Sequence, residues 1–211
     1  VGSATSPVSL VTLIRTVYEH LKEQGRISFP ASVMPAFMGK TMIESGGIKR
    51  ALSTKSARGI MQLRPSVLDD CEIPKDFRLH RMAQVDCALR LVEQNDRNLQ
   101  QPFNAVFGKL PEKKRRLLYG LLLTQTYQIG VGRMIELLQD EELGRAAQYF
   151  AAHADQFSAE DIQVGMIYHN LGRRDLGMLS LYYVIDVGIA TEALCASSEM
   201  QNDAWCDRPL N

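Results

Sequence analysis

The sequence lacks net charge, because its 24 lysines and arginines are balanced by 24 aspartates and glutamates. A chain that binds nucleic acid through its phosphates usually carries a clear basic excess, so we do not expect nucleic acid as the main partner. No apolar run approaches the ~20 residues needed to cross a bilayer, so no membrane span is predicted. Glycine and proline show no excess, at 15 and 8 of 211 residues, which excludes collagen-like and low-complexity chains. The composition therefore indicates a soluble globular protein with enough chain to bury a core.

Metal-binding patterns are missing as well. There is no CxxC motif, and the histidines lie far from any cysteine in the sequence, so we expect no zinc site. We assign structural or surface roles to the four histidines, His20, His80, His153 and His169. The four cysteines allow three pairings into two disulfides. We favour the local pairs Cys71–Cys87 and Cys195–Cys206, with four reduced, buried thiols as the alternative; disulfides would indicate an oxidising compartment.

The distribution of apolar residues indicates a chain built from helices. Apolar side chains recur at helical spacing over most of the chain, and we find no convincing alternating strand. The predicted helices are Ser9–Glu23, Ala31–Ser45, Arg81–Asn95, Pro111–Gln125, Gly132–Leu138, Leu143–Ala152, Ala159–Asn170 and Asp175–Ala196. Loops are expected at 46–57, 71–80 and 98–111, and Gly46-Gly47 is expected to end the second helix. The predicted fold class is all-α, as one domain at 9–200 between terminal tails at 1–8 and 201–211.

Glu44 stands at the predicted end of a helix, just before two glycines and a polar loop. A carboxylate at that end faces the negative pole of the helix dipole, and methionine and leucine neighbours would partly desolvate it. Both effects raise the pKa of a carboxyl group, and a glutamate with a raised pKa suits a general acid. The alternative is a surface glutamate at a frayed helix end. After the loop, Ala57–Leu63 is expected to open the next helix.

The spacing that follows Glu44 resembles a known signature. The matching residues, at the intervals of E-S…A-x-G-[LI]-M-Q-x-x-P, are Glu44-Ser45, Ala57, Gly59, Met61-Gln62 and Pro65. This signature is typical of the soluble lytic transglycosylases and the goose-type lysozymes, a glycoside hydrolase family 23-like group that the chain resembles. The resemblance implies a lysozyme-like fold with extra helices and long cleft loops, and it implies cleavage of peptidoglycan.

Three weaker blocks follow in the order of that family. Residues 127–134 resemble Y-N-A-G-P-G-R-V, residues 183–187 resemble the late Y-V-x-x-V helix, and residues 84–92 are a weak echo of N-I-x-x-G-x-x-Y-L. The chain also departs from the family. Gln128 replaces an asparagine, Ser180-Leu181 replaces Thr-Arg, and the loop at 48–51 lacks the common Asn-Pro. These differences bear on substrate preference, including tolerance of N-deacetylated glycan, more than on the reaction.

The resemblance assigns a role to each matching residue. Glu44 would be the catalytic acid/base, and Ser45 would orient its carboxylate or a nearby substrate group. The implied substrate-binding residues are Ser45, Met61, Gln62, Tyr127, Gln128 and Tyr183. Met61 and Gln62 would line the cleft, Tyr127 would lie near the reacting centre, Gln128 would contact the saccharide, and Tyr183 would pack close to Glu44. The alternative for the two tyrosines is a core position with a satisfied hydroxyl.

A second catalytic carboxylate is hard to find near Glu44. Two-carboxylate glycoside hydrolysis needs two acids roughly 5 to 9.5 Å apart. The segment from Gly46 to Arg58 holds no acid, and Arg64 follows Met-Gln-Leu, near where goose-type lysozymes carry one. The nearest acids, Asp69, Asp70 and Glu72, are expected at a solvated helix end. The family's single-carboxylate chemistry, which closes a 1,6-anhydro ring without water, is therefore favoured.

The loop after Glu44 is basic. Its cations are Lys49, Arg50, Lys55 and Arg58, with Arg64 beyond them. These charges are either simply solvated or attract the acidic lactyl-peptide side of peptidoglycan. A second basic run, Lys113–Arg116, is expected at an exposed helix start.

The sequence thus predicts a lytic transglycosylase that cleaves the β-1,4 bond between N-acetylmuramic acid and N-acetylglucosamine, with peptidoglycan glycan strands as its partner. We expect no cofactor, no metal, and a monomer. We expect a periplasmic or secreted location, with any export signal removed before the start at Val1-Gly2-Ser3 or never present. The alternatives are a hydrolytic lysozyme, a non-catalytic cell-wall-binding domain, and a helical structural protein whose motif match is accidental.

Overall fold

The computed structural model describes residues 7–53 and 56–206. Within these ranges the chain is mainly helical, with isolated bridges and no longer strand. The α-helices are α1 (Leu10–Glu23), α2 (Met34–Ser45), α3 (Pro65–Asp70), α4 (Arg81–Phe107), α5 (Glu112–Ile129), α6 (Val131–Gln139), α7 (Arg145–Ala152), α8 (Ala159–Tyr168) and α9 (Met178–Cys195). Short 3₁₀ segments lie at Ala31–Val33, Lys75–Phe77 and Ala154–Gln156. The predicted all-α class is confirmed for the described residues.

The first two helices form where they were predicted, and their ends show why. The hydroxyl of Ser9 accepts a hydrogen bond from the backbone N–H of Thr12 at 3.0 Å, which satisfies a donor in the first turn of α1. α2 ends at Ser45, where Gly46 and Gly47 adopt φ values of +58° and +76°. Glycine reaches this left-handed region without the penalty that a Cβ brings, so the chain leaves the helix there.

The prediction that Ala57–Leu63 opens a helix is wrong. The segment forms a tight turn in which Arg58 and Leu63 exchange backbone hydrogen bonds of 3.0 and 3.2 Å. Gly59 has φ +74° and Gln62 has φ +48°, and neither value fits a right-handed helix. The helix begins instead at Pro65, where the missing N–H costs nothing because a first-turn donor has no helical partner.

The prediction of a loop at 98–111 is also wrong over most of its length. α4 continues to Phe107 and passes through Pro102. The helix persists because Leu99, Phe103 and Phe107 recur every four residues and are all buried, so their packing outweighs the hydrogen bond that proline removes. The prediction ended the helix at Asn95 and overlooked the apolar spacing beyond it.

The described chain falls into two compact units. The first contains the described residues up to Phe29 together with Lys40–Glu93, and the second contains Pro30–Gly39 and the described residues from Gln94 onward. The single domain at 9–200 therefore stays a prediction. The tails were predicted at 1–8 and 201–211; residues 1–6 and 207–211 lie outside the described residues, and 201–206 lead to a disulfide.

The predicted disulfide pairing is confirmed, with one disulfide in each unit. Cys71 pairs with Cys87 in the first unit at a Cα–Cα distance of 5.7 Å. Cys195, the last residue of α9, pairs with Cys206 in the second unit at 5.5 Å. The alternative of four reduced thiols is thereby excluded.

The second unit is built around α5, which contacts α6, α8, α9 and the 3₁₀ segment Ala31–Val33. The basic run opens α5, as predicted, and two of its cations anchor loops. Lys114 donates to the carbonyls of Ala154 and Phe157 at 2.6 and 2.7 Å, and Arg115 donates to the carbonyl of Gly108 at 3.2 Å. These side chains hold the fold rather than forming a track for a polymer.

Among the described residues, α9 is the one helix long and apolar enough to cross a membrane by length and composition. Its mean hydropathy is 1.4 over Met178–Cys195, and only 22% of that window is buried. A single helix of this kind is weak support for a membrane span, because a core helix of a globular protein passes the same test. The finding is compatible with the prediction of no membrane span.

Candidate active site

Glu44 lies in the last turn of α2, one residue before the helix ends, and its side chain is partly exposed. The helix carbonyls at this end point toward the loop that follows, as predicted for this position. Gly46 and Gly47 turn the backbone away directly after Glu44 and Ser45. A helix end that combines partial exposure with a carboxylate can present a proton donor to a ligand.

Ser45 ties this helix end to the loop that carries the rest of the motif. Its hydroxyl donates to the carbonyl of Ile60 at 2.8 Å and accepts from the backbone N–H of Gly47 at 3.0 Å. Ser45 was predicted to orient the Glu44 carboxylate or a substrate group. The hydrogen bonds instead give its hydroxyl a structural role, because they fix the turn at 58–63 beside the end of α2.

The turn at 58–63 requires glycine at position 59. Gly59 has φ +74°, and a Cβ there would lie 2.1 Å from Nε2 of Gln84. That carboxamide is fully buried and leaves no room for a side chain. The glycine of the motif is therefore explained by two physical demands, a left-handed backbone and a close approach.

Gln84 is the residue of this region that the sequence reasoning missed. Its Oε1 accepts from the backbone N–H of Met61 at 3.0 Å, and its Nε2 donates to the carbonyls of Arg58 and Arg78 at 3.0 and 2.6 Å. A single side chain thus supplies three bonds to backbone that would otherwise be unsatisfied in the interior. The available signal was weak, since Gln84 stands at the Asn of the N-I-x-x-G echo.

Met61 and Gln62 differ from their predicted roles as cleft residues. Met61 is completely buried, and its sulfur lies 3.6 Å from the hydroxyl of Thr41 on α2. Gln62 is partly exposed, and its amide nitrogen donates to the carbonyls of Ala51 and Gly59 at 3.2 and 2.9 Å. We therefore assign Met61 to the core. The side-chain amide nitrogen of Gln62 is used by the loop, which leaves the side-chain oxygen of Gln62 as the group suited to a ligand.

The nearest acids after the motif form the end of a helix, as predicted. Asp69 and Asp70 close α3, and both are exposed. Asp69 accepts a hydrogen bond from the guanidinium of Arg78, which engages its carboxylate in an ion pair. Glu72 is exposed in a turn with φ +58°. These are the roles of surface carboxylates.

The described cations of the loop are all exposed: Lys49, Arg50, Arg58 and Arg64. Lys55, predicted to belong to the same group, lies outside the described residues. Exposed charges of one sign raise the local concentration of ligands of the opposite sign. The segment beside Glu44 therefore favours an anionic ligand.

A buried lysine precedes Glu44 by one helical turn. Lys40 is only 1% exposed, and a separation of four residues places the two side chains on the same face of α2. Burial lowers the pKa of Lys40 from 10.5 to about 7, while the charge of Glu44 raises it. The sequence held a signal for this residue, since Lys40 is the only charge between Pro30 and Ile43.

The remaining predicted site residues belong to the second unit and are described there. Tyr127 is half-buried near the end of α5, and the side-chain carbonyl of exposed Gln128 accepts from the Gln125 amide at 3.1 Å. Tyr183 is half-buried on α9 and, with Gln125 and Gln163, lines a cavity of about 200 Å³. Gln125 therefore links Gln128 to the cavity that Tyr183 lines.

Comparisons of the chain with protein-family models, with curated proteins and with solved structures find no match. Within the first unit, a hydrogen bond of 2.8 Å joins Ser45, the residue after Glu44, to Ile60 in the turn at 58–63.

Proposed function

We propose that this protein cleaves peptidoglycan between N-acetylmuramic acid and N-acetylglucosamine, as a lytic transglycosylase of lysozyme-like fold with Glu44 as its single acid/base. One observation carries the proposal. The motif spacing from Glu44 to Pro65 coincides with contacts that bring the motif's two halves together, from Ser45 to Ile60 and from Thr41 to Met61. These contacts fix the turn at 58–63 beside the partly exposed helix end that carries the Glu44 carboxylate.

The reaction follows from a single carboxyl group used twice. Protonated Glu44 donates its proton to the bridging glycosidic oxygen, the bond to C1 breaks, and the acetamido group of the substrate helps to stabilise the oxocarbenium-like centre. The C6 hydroxyl of the same sugar then bonds to C1, and the Glu44 carboxylate takes the hydroxyl proton. Glu44 ends protonated, and the product is a 1,6-anhydro sugar formed without water.

Two features support the single-carboxylate form of the reaction. The Asp69 carboxylate is held by Arg78, and the described residues between Gly46 and Arg58 include no acid. The exposed cations of that segment suit a polymer whose lactyl-peptide stems carry carboxylates. The two disulfides support a periplasmic or secreted location, because disulfides persist in oxidising compartments.

The test is release of soluble fragments from purified sacculi by the wild type, Glu44→Gln and Asp70→Asn. Glutamine keeps the shape of Glu44 but cannot give up a proton, so we expect release to fall by at least ~100-fold. Asp70→Asn removes an exposed acid of α3 and should leave release unchanged. Activity near wild type in Glu44→Gln would contradict the assignment of Glu44.

The control also separates the alternatives. Loss of activity in Asp70→Asn would favour a hydrolytic lysozyme that uses a second carboxylate. A wild-type protein that sediments with sacculi but releases no fragments would favour a non-catalytic wall-binding domain.

A further inference from the structure

A buried ionisable side chain lies next to the proposed acid/base and has no part in the reaction described above. Lys40 is 1% exposed and ranks among the largest fully buried side chains of the described chain. Amphipathic lysines usually extend their charged ends to water, so a lysine enclosed along its whole length is unusual. Its position on α2 is the observation that calls for an explanation.

The geometry of α2 relates this lysine to Glu44. Residues four apart on a helix are neighbours on one face, and side chains there lean toward the N-terminal end of the helix. The side chain of Glu44 therefore leans toward the turn that carries Lys40. Lys40 and Glu44 both belong to the first unit, and Glu44 is partly exposed. The pair thus combines one enclosed group with one that a ligand can reach.

Burial also strengthens the interaction between the two groups. Charges in a poorly solvated surrounding attract each other more strongly than they do in water, and salt screens them less. Both burial and the charge of Glu44 act on the pKa of Lys40: burial lowers it to about 7, and the charge of Glu44 raises it. Each group therefore senses the protonation of the other.

We propose that Lys40 is a positioning residue for Glu44: its enclosed ammonium group, one helical turn away, attracts the Glu44 carboxylate and stabilises its charge as the proton leaves. Lys40 does not touch substrate, since it is enclosed. Its effect on catalysis depends on the proposed function, whereas its interaction with Glu44 does not.

The first measurement needs no enzymatic activity. The titration of Lys40 is followed by NMR of its side-chain Hε and Cε resonances in the wild type and in Glu44→Gln. Removal of the Glu44 charge should shift the Lys40 midpoint to lower pH, because that charge raises it. Glu112→Gln is the control, since Glu112 also lies four residues from a basic partner, Arg116, but on the exposed start of α5. It should leave the Lys40 midpoint unchanged.

The second measurement determines kcat and KM of Lys40→Met and Lys40→Arg. Methionine has a similar length without the charge, so we expect kcat to fall at least tenfold with KM unchanged, and Lys40→Arg should recover part of kcat. Circular dichroism establishes that each variant is folded. An unchanged Lys40 midpoint in Glu44→Gln would overturn the inference whatever the activity. A shifted midpoint with no cleavage by the wild type would support the interaction between Lys40 and Glu44 but refute the proposed function. A shifted midpoint with full kcat in Lys40→Met would refute the role of Lys40 in catalysis.

Discussion

Individual residues of the first unit show how burial and charge act on one another. Lys40 is enclosed although it is ionisable, and Gln84 is enclosed although it is polar. Gln84 meets the cost of burial with hydrogen bonds to three backbone groups. Lys40 meets part of it through the charge of Glu44 and part through a lowered pKa. The two side chains predict different responses to pH and to substitution.

Lys40 makes the stability of the fold depend on pH. The pKa of Lys40 is about 7 in the fold, against 10.5 for a solvated lysine. Below pH 7 the side chain is protonated in both states, so the folded chain bears the whole cost of an enclosed charge. As pH rises above 7, the unfolded state binds more protons than the folded one, and the folded state gains stability by up to ~1.4 kcal/mol per pH unit.

We therefore expect the wild type to gain stability relative to Lys40→Met as pH rises from about 7 toward 10.5, the interval between the folded and the unfolded pKa of Lys40. Urea unfolding of both proteins across this range measures the difference in free energy of unfolding. A difference that does not change with pH would show that Lys40 is not enclosed in the way described.

Gly59 should tolerate no side chain, because an alanine there meets Gln84 and must adopt a left-handed backbone. Gly172→Ala is the matched control, since Gly172 has φ +79° but open space around its Cβ position. The control substitution should lower the free energy of unfolding by about 1–2 kcal/mol, from backbone strain alone. Gly59→Ala should lower the free energy of unfolding further, by about 1 kcal/mol for each hydrogen bond of the Gln84 carboxamide that breaks. Equal losses in thermal unfolding would contradict the close approach.

At the scale of elements, packing between helices decides which glycines matter. Gly39 on α2 lies against α9 within the second unit, where a Cβ would meet Oγ1 and the backbone nitrogen of Thr191 at 2.3 and 2.9 Å. Backbone cannot rotate away as a side-chain end can. The small residue therefore allows α2 and α9 to approach closely.

Gly39→Ala should lower the free energy of unfolding by about 1–3 kcal/mol, because the two helices must separate. Gly188→Ala, on α9 with nothing near its Cβ position, is the control and should stabilise the fold by about 0.5–1 kcal/mol. Calorimetry of both variants checks the contrast. Stabilisation by both alanines would contradict the described approach of α2 to α9.

The elements also show what a sequence can predict. Helices with a strong apolar period, such as α1 and α6, were found within a few residues, because apolar side chains recur on one face of the helix. The turn at 58–63 was mistaken for a helix, because its shape depends on a glycine backbone and on Gln84, which is 25 residues distant in sequence from Gly59. The predicted helix ended at Asn95, whereas α4 continues to Phe107 through Pro102, because tertiary packing outweighs the cost of the proline.

The candidate site follows the same rule. The end of α2, one residue after Glu44, was predicted because Gly46 and Gly47 follow it directly in the sequence. The burial of Met61, the donors that Gln62 gives to the loop, and the enclosure of Lys40 depend on neighbours distant in sequence. Residue types and spacing thus predicted a candidate site, while the contacts of each side chain there depend on the tertiary structure.

At the scale of the whole molecule, the two disulfides hold one unit each. Cys71–Cys87 closes a separation of 16 residues, and its removal as Cys71→Ala with Cys87→Ala should cost ~3 kcal/mol, mainly through a less constrained unfolded chain. Urea unfolding of this variant and of the wild type provides the value. Intact mass before and after reduction and alkylation checks that two disulfides are present; uptake of label by unreduced protein would contradict the pairing.

Overall neutrality hides an uneven distribution of charge. Positive and negative groups balance over the chain, yet the described cations beside Glu44 are exposed and the nearest acids belong to the end of α3. The proposed reaction depends on that local chemistry, in which one carboxyl group acts first as an acid and then as a base, with no second carboxylate to activate water.

Mass analysis of the soluble products, formed in water enriched in ¹⁸O, tests this most directly. If Glu44 acts alone, each newly formed muramic acid end is a 1,6-anhydro sugar, lighter than the hydrolytic end by one water and free of ¹⁸O. Products with a reducing muramic acid end that carries ¹⁸O would contradict the account, because water rather than the C6 hydroxyl would then have attacked C1.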